Sequence, residues 1–362
     1  MFLKCCWRKL GSSSARPPLH TPVMVEEVLE CLDVQHARVV LDMTFGAGGH
    51  TKAILKGSPG VRVVTLDRDP VAYRLAQQLS EQHPGRVLPL LGRFSELGPL
   101  LCGQGLGPGS LDAALLDAGC SSMQMDGAER GFSLSKDGPL DMRMDGDRYP
   151  NMPCAADAVN ALDQQALASI LASYAEERHA RKIAAAIVRA RSIHPILRTQ
   201  QLASVVAGAF AAPALYSRLD RLQRPTHVAT KTFQALRVFV NDELNELHAG
   251  LRAARTHLKP GGRLCVLTFH SLEDRAVKRF LRGEDLSAPP RHNIRDHARS
   301  RHWEEKGEGP DHGDDAGDVG ETGGWVLLRK MTTPTNEEVQ ANPRGRSAKL
   351  RAAARRQMTP EP

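Results

Sequence analysis

The sequence predicts an α/β fold, a parallel sheet layered with helices and carrying an inserted helical domain. Three runs predict it. Val39-Val40-Leu41-Asp42 is apolar, stops at a carboxylate, and is followed by glycines in Thr44-Phe45-Gly46-Ala47-Gly48-Gly49-His50. Val61 to Leu66 is a second run, ended by Asp67. Asp112 to Asp117 is a third, again ended by an acid. Strands that are apolar along their whole length are buried on both faces, as parallel strands are.

The elements follow in order. His20 to Leu32 reads as a helix leading into the first strand. Thr51 to Lys56 is the helix that carries the chain to the second strand. Val87 to Leu91 is the third strand, Gly98 to Ser110 a glycine-rich loop, and Asp112 to Asp117 the fourth strand. Asp126 to Pro153 is polar and aperiodic, and reads as a functional loop. From Asp157 to Leu251 apolar residues recur at helical spacing, as in Leu167, Ile170, Leu171 and Tyr174, with Pro195, Pro213 and Pro225 as punctuation. The sheet pattern then resumes. Leu251 to Leu258 is a helix, Lys259-Pro260-Gly261-Gly262 a turn, Arg263 to Phe269 a strand, and Trp325 to Lys330 the last strand. Between these, Glu304, Glu305, Glu308, Asp311, Asp314, Asp315 and Asp318 lie among glycines and prolines, the composition of a disordered acidic insertion. Arg344, Arg346, Lys349, Arg351, Arg355 and Arg356 make a basic C-terminal tail.

The ends and the charge bound the function. The chain has 362 residues, 41% hydrophobic, and a net charge of +7, which suits a polyanionic partner such as nucleic acid. Its seven cysteines are scattered, with no Cys-x-x-Cys pair, which argues for a reducing compartment and against a structural zinc site. No apolar run approaches a membrane span, so no membrane is expected. Lys4, Arg8, Lys9 and Arg16 precede any acid and are joined by Ser12 to Ser14. That is the composition of a mitochondrial transit peptide, with a disordered basic tail as the alternative.

The chemistry gathers at the carboxyl edge of the sheet. Glycines at the first strand-to-helix turn let a ligand approach the backbone, and Asp67 stands where a ribose diol is bound. A dinucleotide fingerprint would place its third glycine at Thr51. Asp42 can reach the ammonium group of a methionine moiety, which NAD lacks, so S-adenosylmethionine fits better than NAD. After the fourth strand, Asp117-Ala118-Gly119-Cys120-Ser121-Ser122-Met123-Gln124 offers small residues that admit a planar group. An acceptor there would draw the hydrogens of a poorly nucleophilic exocyclic amine and hold it in line for attack. Asp117 is that candidate, with a purely cofactor-binding role as the alternative. In the loop, Phe132 could stack on a base, and Arg130 and Arg143 could meet phosphate, unless Phe132, Leu140, Met142 and Met144 simply pack it. Glu177 to Ile183, continuing through Arg189 and Arg191, reads as a helix whose basic face, with Arg178, could touch RNA. Ser271 reads as an N-cap after the strand ending at Phe269.

Several long motifs in fixed order carry a resemblance. They are His20-Thr21-Pro22-Val23, Thr44 to Thr51, Asp67-Arg68-Asp69-Pro70, Ala128 to Ser133, and Asp137 to Met144. They continue with Tyr174 to Arg178, Thr232 to Arg237, Phe269 to Arg275, and Asn342 to Ser347. Together the chain resembles the RsmH (MraW) family of small-subunit ribosomal RNA cytosine-N4 methyltransferases, from about residue 20 to residue 352. With its basic leader it looks like a mitochondrial member. The resemblance implies a Rossmann-like class I methyltransferase sheet with an inserted helical domain, and S-adenosylmethionine as methyl donor. It implies cofactor contacts at Gly48, Gly49, His50, Asp67, Phe94, Asp117 and Gln124. It implies one cytidine of the 12S ribosomal RNA decoding region as substrate, bound free or in an assembling small subunit in the mitochondrial matrix.

Two departures stand out. The family's Leu-Gly-Val-Ser-Ser-Pro-Gln becomes Ala118 to Gln124, without the proline. Its Arg-Thr-Phe-Gln becomes Lys231-Thr232-Phe233-Gln234, where lysine keeps a charge for phosphate but loses the fork.

The expected organisation is a transit peptide at 1–19, a methyltransferase domain at 20–125 and 252–335, and a substrate loop with inserted helices at 126–251. The acidic insertion spans 284–324 and the basic tail 336–362. The expected function is N4-methylation of ribosomal RNA cytidine. The alternatives are a non-catalytic ribosomal RNA-binding assembly factor that keeps the cofactor fold, and an NAD-dependent enzyme, which Thr51 disfavours.

Overall fold

The computed structural model describes residues 22–210, 226–284 and 324–357. The leader, most of the acidic insertion, His20, Thr21, Pro213 and Pro225 lie outside the described residues.

Among the described residues the sheet has seven strands. They are β1 (Val39–Asp42), β2 (Arg62–Asp67), β3 (Val87–Leu91), β4 (Leu111–Asp117), β5 (Leu258–Thr268), β6 (Trp325–Thr332) and β7 (Lys349–Arg355). Their order is β3-β2-β1-β4-β5-β7-β6, parallel from β3 to β5, with β7 antiparallel to both neighbours. This is the Rossmann-like class I methyltransferase arrangement. Strand order reverses between β1 and β4, and a crevice opens there at the carboxyl edge.

Helices α1 (Val25–Leu32), α2 (Gly49–Gly57), α3 (Pro70–Gln82) and α4 (Leu97–Gly103) alternate with the first strands. A short α5 (Ser122–Asp126) follows β4. Then come α6 (Ala155–Ala161), α7 (Gln164–Ala175), α8 (Ala180–Arg191), α9 (Thr199–Gly208) and α10 (Thr230–Val240). After them come α11 (Glu243–His257), α12 (Ser271–Leu281) and α13 (Asn336–Ala341).

Burial divides these elements. Along β4, Ala113 and Leu115 face one side, with Val28, Leu32, Ile54 and Leu79 of α1 to α3. Ala114 and Leu116 face the other, with Leu101, Leu247, Leu251 and Phe280. Alternate strand residues thus feed two apolar layers. A third core lies among α6 to α10 and takes in Phe132, Leu140, Met142 and Met144. Local chemistry sets the helix starts. Asp69 accepts the amide of Val71 with Pro70 following it, and Asp163 accepts that of Ala166.

Several sequence expectations change. Residues 98–110 are not all loop: Leu97 and Leu101 are fully buried and draw 97–103 into α4. The first helix begins at Val25 and the second at Gly49. Helix α11 begins at Glu243, not Leu251, because Leu247 already packs on the sheet; the inserted helices end before it. Residues 259–262 are a bulge within β5, where pairing shifts from Leu111–Leu258 to Ala113–Arg263. Gly262 fits this bulge because a Cβ would lie 2.8 Å from the Lys259 carbonyl. Trp325 begins a longer strand that is not the last. Residues 336–357 are not a bare tail, since β7 is sandwiched between β5 and β6, with Lys349 and Arg351 paired to Asp274. The 126–153 loop is packed, with Phe132 only 4% exposed.

Candidate active site

The crevice has a volume of about 600 Å³, within the range of small-molecule sites. Every parallel strand from β1 to β5 contributes to its wall. Gly46, Gly49 and His50 follow β1, and Asp67 and Arg68 stand at the end of β2. Arg93 and Phe94 follow β3, Asp117 to Ser121 lie at and after the end of β4, and Phe269 and Glu273 follow β5. Arg237 and Glu243 come from α10 and α11, and Pro343, Arg344, Arg346 and Ser347 close the rim from the C-terminal side.

The glycine turn is held by carboxylates. Asp67 Oδ2 accepts the amide of Gly46 at 2.7 Å, and Oδ1 that of Asp69 at 2.9 Å. Burial nevertheless pushes the Asp67 carboxyl up to about 7, and the nearby acids Asp69 and Asp42 push the same way. Gly48 adopts φ 77°, and a Cβ there would lie 2.6 Å from the Phe45 ring. Gly48 does not line the crevice; it makes the turn that lets Gly49 and His50 do so.

Asp42 does not serve the site as expected. It is 1% exposed, accepts the Thr51 hydroxyl at 2.5 Å and the Thr44 amide at 3.1 Å, and does not line the crevice. Thr51, where a third glycine would stand, is thereby the pin of the turn.

Asp117 is the central acid. Its amide donates to Thr44 Oγ1, which fixes the end of β4 against that of β1. Its Oδ2 lies 3.7 Å from His50 Nδ1, and its Oδ1 is buried with no hydrogen-bond partner among the described residues. Burial pushes its carboxyl up to about 6, against the pull of His50 and with the push of Asp42 and Glu273. A buried acceptor left open is costly unless a ligand fills it.

Beside Asp117 stands a charged wall that sequence reasoning only partly found. Arg237 forks onto Glu243 at 2.8 and 2.9 Å and reaches Cys120 Sγ at 3.2 Å. Its guanidinium lies 4.0 Å from Glu273. His270 Nε2 lies 2.8 Å from Glu273. Burial disfavours the Glu273 carboxylate, but His270 and Arg237 outweigh it and hold its titration below the usual range. Glu243, His270 and Glu273 bring ligand atoms within 4.8 Å of one another. The Arg237 guanidinium already supplies positive charge there. Arg237 sat in the motif Thr232 to Arg237, but nothing local marks Glu243 as its partner. His270, rather than Ser271, caps α12, its Nδ1 accepting the Glu273 amide at 3.4 Å.

The remaining predicted residues divide. Phe94 lines the crevice beside Gly250 of α11. Gln124 is 4% exposed; its amide oxygen accepts the Ser121 amide and its nitrogen donates to Asp69. Arg130 spends its guanidinium on Asp69 and the carbonyls of Arg143 and Met144. Arg143 forks onto Asp141. Phe132 is buried in the helical core, with Arg130 5.9 Å above its ring. These three fasten the 126–153 loop, so base stacking and phosphate contact are replaced by packing. Lys231 donates to the Glu176 carbonyl at 2.9 Å and ties α10 to the end of α7. Arg178 is exposed and lies outside the crevice, in a second groove.

The loop is anchored by a group the sequence did not reveal. Asp145 is fully buried and takes Arg68, Arg93 and Arg148 together. Arg68 and Arg93 also line the crevice, so loop and cofactor edge share two side chains.

Comparison with known proteins gives a consistent picture. Residues 18–310 match the MraW methylase family. The chain is 59% identical over 346 residues to the 12S rRNA N(4)-cytidine methyltransferase METTL15 of Bos taurus, covering 94% of this chain and 84% of that protein. It is 44% identical over 344 residues to the ribosomal RNA small subunit methyltransferase H of Methylorubrum populi, covering 95% and 89%. Among the described residues, no helix is long and apolar enough to cross a membrane.

Proposed function

The chain belongs to the MraW methylase family, and we propose that it methylates N4 of one cytidine in mitochondrial 12S ribosomal RNA. The observation that carries this reading is Asp117, a crevice carboxylate with one buried oxygen that has no hydrogen-bond partner among the described residues. The relatives' names supply the RNA, and with it a mitochondrial location; the matrix and an assembling small subunit are the finer proposals.

The residues present fit S-adenosylmethionine. Asp67 at the end of β2 would hold the ribose diol, Phe94 would lie beside adenine, and Gly46, Gly49 and His50 would border the chain of the amino acid. The cofactor would supply a methyl group on a sulfonium, whose neutral thioether departs without help from an acid. Gly48 and Gln124 contribute by shaping the turn and the post-β4 loop.

The chain's own part is positioning and electrostatics. A cytosine amine is a weak nucleophile, because its lone pair is delocalised into the ring. Asp117 would accept a hydrogen from that amine, raise electron density on nitrogen as the new bond forms, and then take up the proton it releases. Ala118 and Gly119 leave room for a flat ring. A base inside a folded RNA must be turned out to reach this depth, which is the usual solution for base-modifying enzymes.

The test is methyl transfer from labelled S-adenosylmethionine to mitochondrial small-subunit ribosomal RNA, with the product nucleoside identified by mass spectrometry. N4-methylcytidine made by the wild type and lost in Asp117→Asn supports the enzyme. Tight RNA and cofactor binding with no methylated product, on free RNA or on assembling subunits, would leave the assembly factor instead.

A further inference from the structure

A second groove lies on the helical domain. It has a volume of about 940 Å³ and is lined by Gln164, Gln165 and Ser169 of α7 and by Arg178, Arg181 and Lys182 at and before the start of α8. The three cations are exposed. Among the described residues, Arg178 and Arg181 make no ion pair or hydrogen bond. Lys182 lies 5.3 Å over the ring of Phe210. The one acid in the lining, Glu177, is 3% exposed and accepts the amide of His179. The first turn of α8 holds no acid, although that end of a helix favours negative charge. Three cations gathered there repel one another, and an anion relieves both effects.

The groove also adjoins the crevice. Phe269 and Glu273 line the crevice, and Ser271 between them donates to Glu176 at 3.2 Å. Arg275 of the same helix pairs with Glu176 at 2.9 Å. Glu176 is followed directly by the groove residues Glu177 and Arg178. One turn of chain therefore separates the wall that would face a target base from the cluster of exposed cations.

We propose that this groove binds the phosphate backbone of the RNA strand flanking the methylated cytidine, through Arg178, Arg181 and Lys182, with Gln164 and Gln165 donating to phosphate or ribose oxygens. The proposal rests on the RNA methyltransferase function above and adds where the strand lies. Backbone contacts of this kind carry no sequence information; they set affinity and register while the crevice selects the base.

The experiment uses the full chain with a single-stranded RNA of the 12S decoding region, in two versions: the natural one and one with the target cytidine replaced by uridine. RNA affinity is measured across a salt series for the wild type, Arg178→Gln/Arg181→Gln and Arg178→Glu/Arg181→Glu. Circular dichroism and S-adenosylmethionine affinity serve as fold controls. Loss of two phosphate contacts lowers the slope of log affinity against log salt by about 1.4. It also weakens both RNAs about tenfold at moderate salt, with a larger loss for the reversed charges. Unchanged slope and affinity in folded variants overturn the groove. Unchanged RNA binding with lost attachment to the small subunit also overturns it, in favour of a protein partner. Salt-dependent RNA loss in a chain that never methylates keeps the groove and removes the methyltransferase reading, so the two fail separately.

Discussion

His50 stands between Asp117 and the chain segment before α1, with Nδ1 3.7 Å from Asp117 Oδ2 and Nε2 2.9 Å from the Val23 carbonyl. The carbonyl accepts only from a protonated Nε2, so a neutral ring turns its Nδ1 lone pair toward the carboxyl. Only a cationic ring, with Nδ1–H toward Oδ2, favours the ionised Asp117, and it is in that form that His50 pulls the carboxyl down. Burial sets the Asp117 carboxyl at about 6, with His50 pulling it down. Methyl transfer at saturating RNA and cofactor should therefore fall about tenfold per pH unit below about pH 6, as protonated Asp117 stops accepting the amine's hydrogen. His50→Phe removes the downward pull, so the acid limb moves to higher pH. Asp117→Asn should lower the rate constant about 10²- to 10³-fold with cofactor affinity kept. A pH–rate profile of the three proteins checks all of this, and an acid limb that ignores His50→Phe would count against the coupling.

Asp67 predicts a second pH dependence, in binding rather than rate. Its carboxyl is raised to about 7, chiefly by burial. A ribose diol donates its hydrogens best to the ionised form, so S-adenosylmethionine affinity should weaken as pH falls through about 7. Asp67→Asn should bind weakly at all pH values, with no step near 7. Calorimetric titration from pH 5.5 to 8.5 reads both, and a flat profile for the wild type would assign the ribose to another acceptor.

What could be read in the sequence was local. Val39 to Asp42, Val61 to Asp67 and Asp112 to Asp117 announce strands because each is mainly apolar and ends on an acid. Asp67 and Asp117 lie at the carboxyl edge as the alternating pattern implied. What failed was long-range. Lys349 to Arg355 mixes charges with alanines and has no β-branched residue; it is a strand only because β5 and β6 pair with it on both sides. The 126–153 loop read as polar because its apolar residues lack periodicity. Phe132, Leu140, Met142 and Met144 are nonetheless buried by a core that forms only when α6 to α10 assemble. Arg130 and Arg143 looked available for phosphate because nothing in the sequence pairs them with their acceptors, Asp69 and Asp141.

Asp145 predicts how that loop can be undone. It is fully buried, and burial alone would raise its carboxyl; Arg68 and Arg93 reverse this and hold it below the usual range. A carboxyl that titrates lower in the folded chain stabilises above the unfolded value near 4, and loses that contribution as pH falls below it. Asp145→Ala strands three guanidinium groups around an empty position, at a cost of about 3–5 kcal/mol. Urea unfolding at pH 7 should show that loss. At pH 3 the gap between variant and wild type should shrink. A gap that stays constant from pH 7 to pH 3 would mean that packing, rather than charge, holds the loop.

Arg237 and Glu243 allow stability and chemistry to be separated. Their fork lies half-buried in the crevice wall, and Glu273 leans on the same guanidinium at 4.0 Å. Burial works against the Arg237 cation, but Glu243 and its neighbours more than compensate and raise its titration. Arg237→Met removes the cation and leaves two carboxylates facing each other, so the fold should lose about 3–5 kcal/mol. Arg237→Met/Glu243→Met removes both charges, fills the space with apolar side chains, and should recover most of that loss, because a buried ion pair is worth little against a well-packed apolar replacement. If the pair only braces α10 against α11, the double variant regains methyl transfer along with stability. If the pair holds the base beside Asp117, stability returns without methyl transfer, and the KM for RNA rises while cofactor affinity stays the same. The site geometry favours the second outcome, because Gly119, two residues past Asp117, lies within 3.9 Å of both Arg237 and Glu273 when a Cβ is placed on it. A ring that reaches Asp117 cannot avoid that wall.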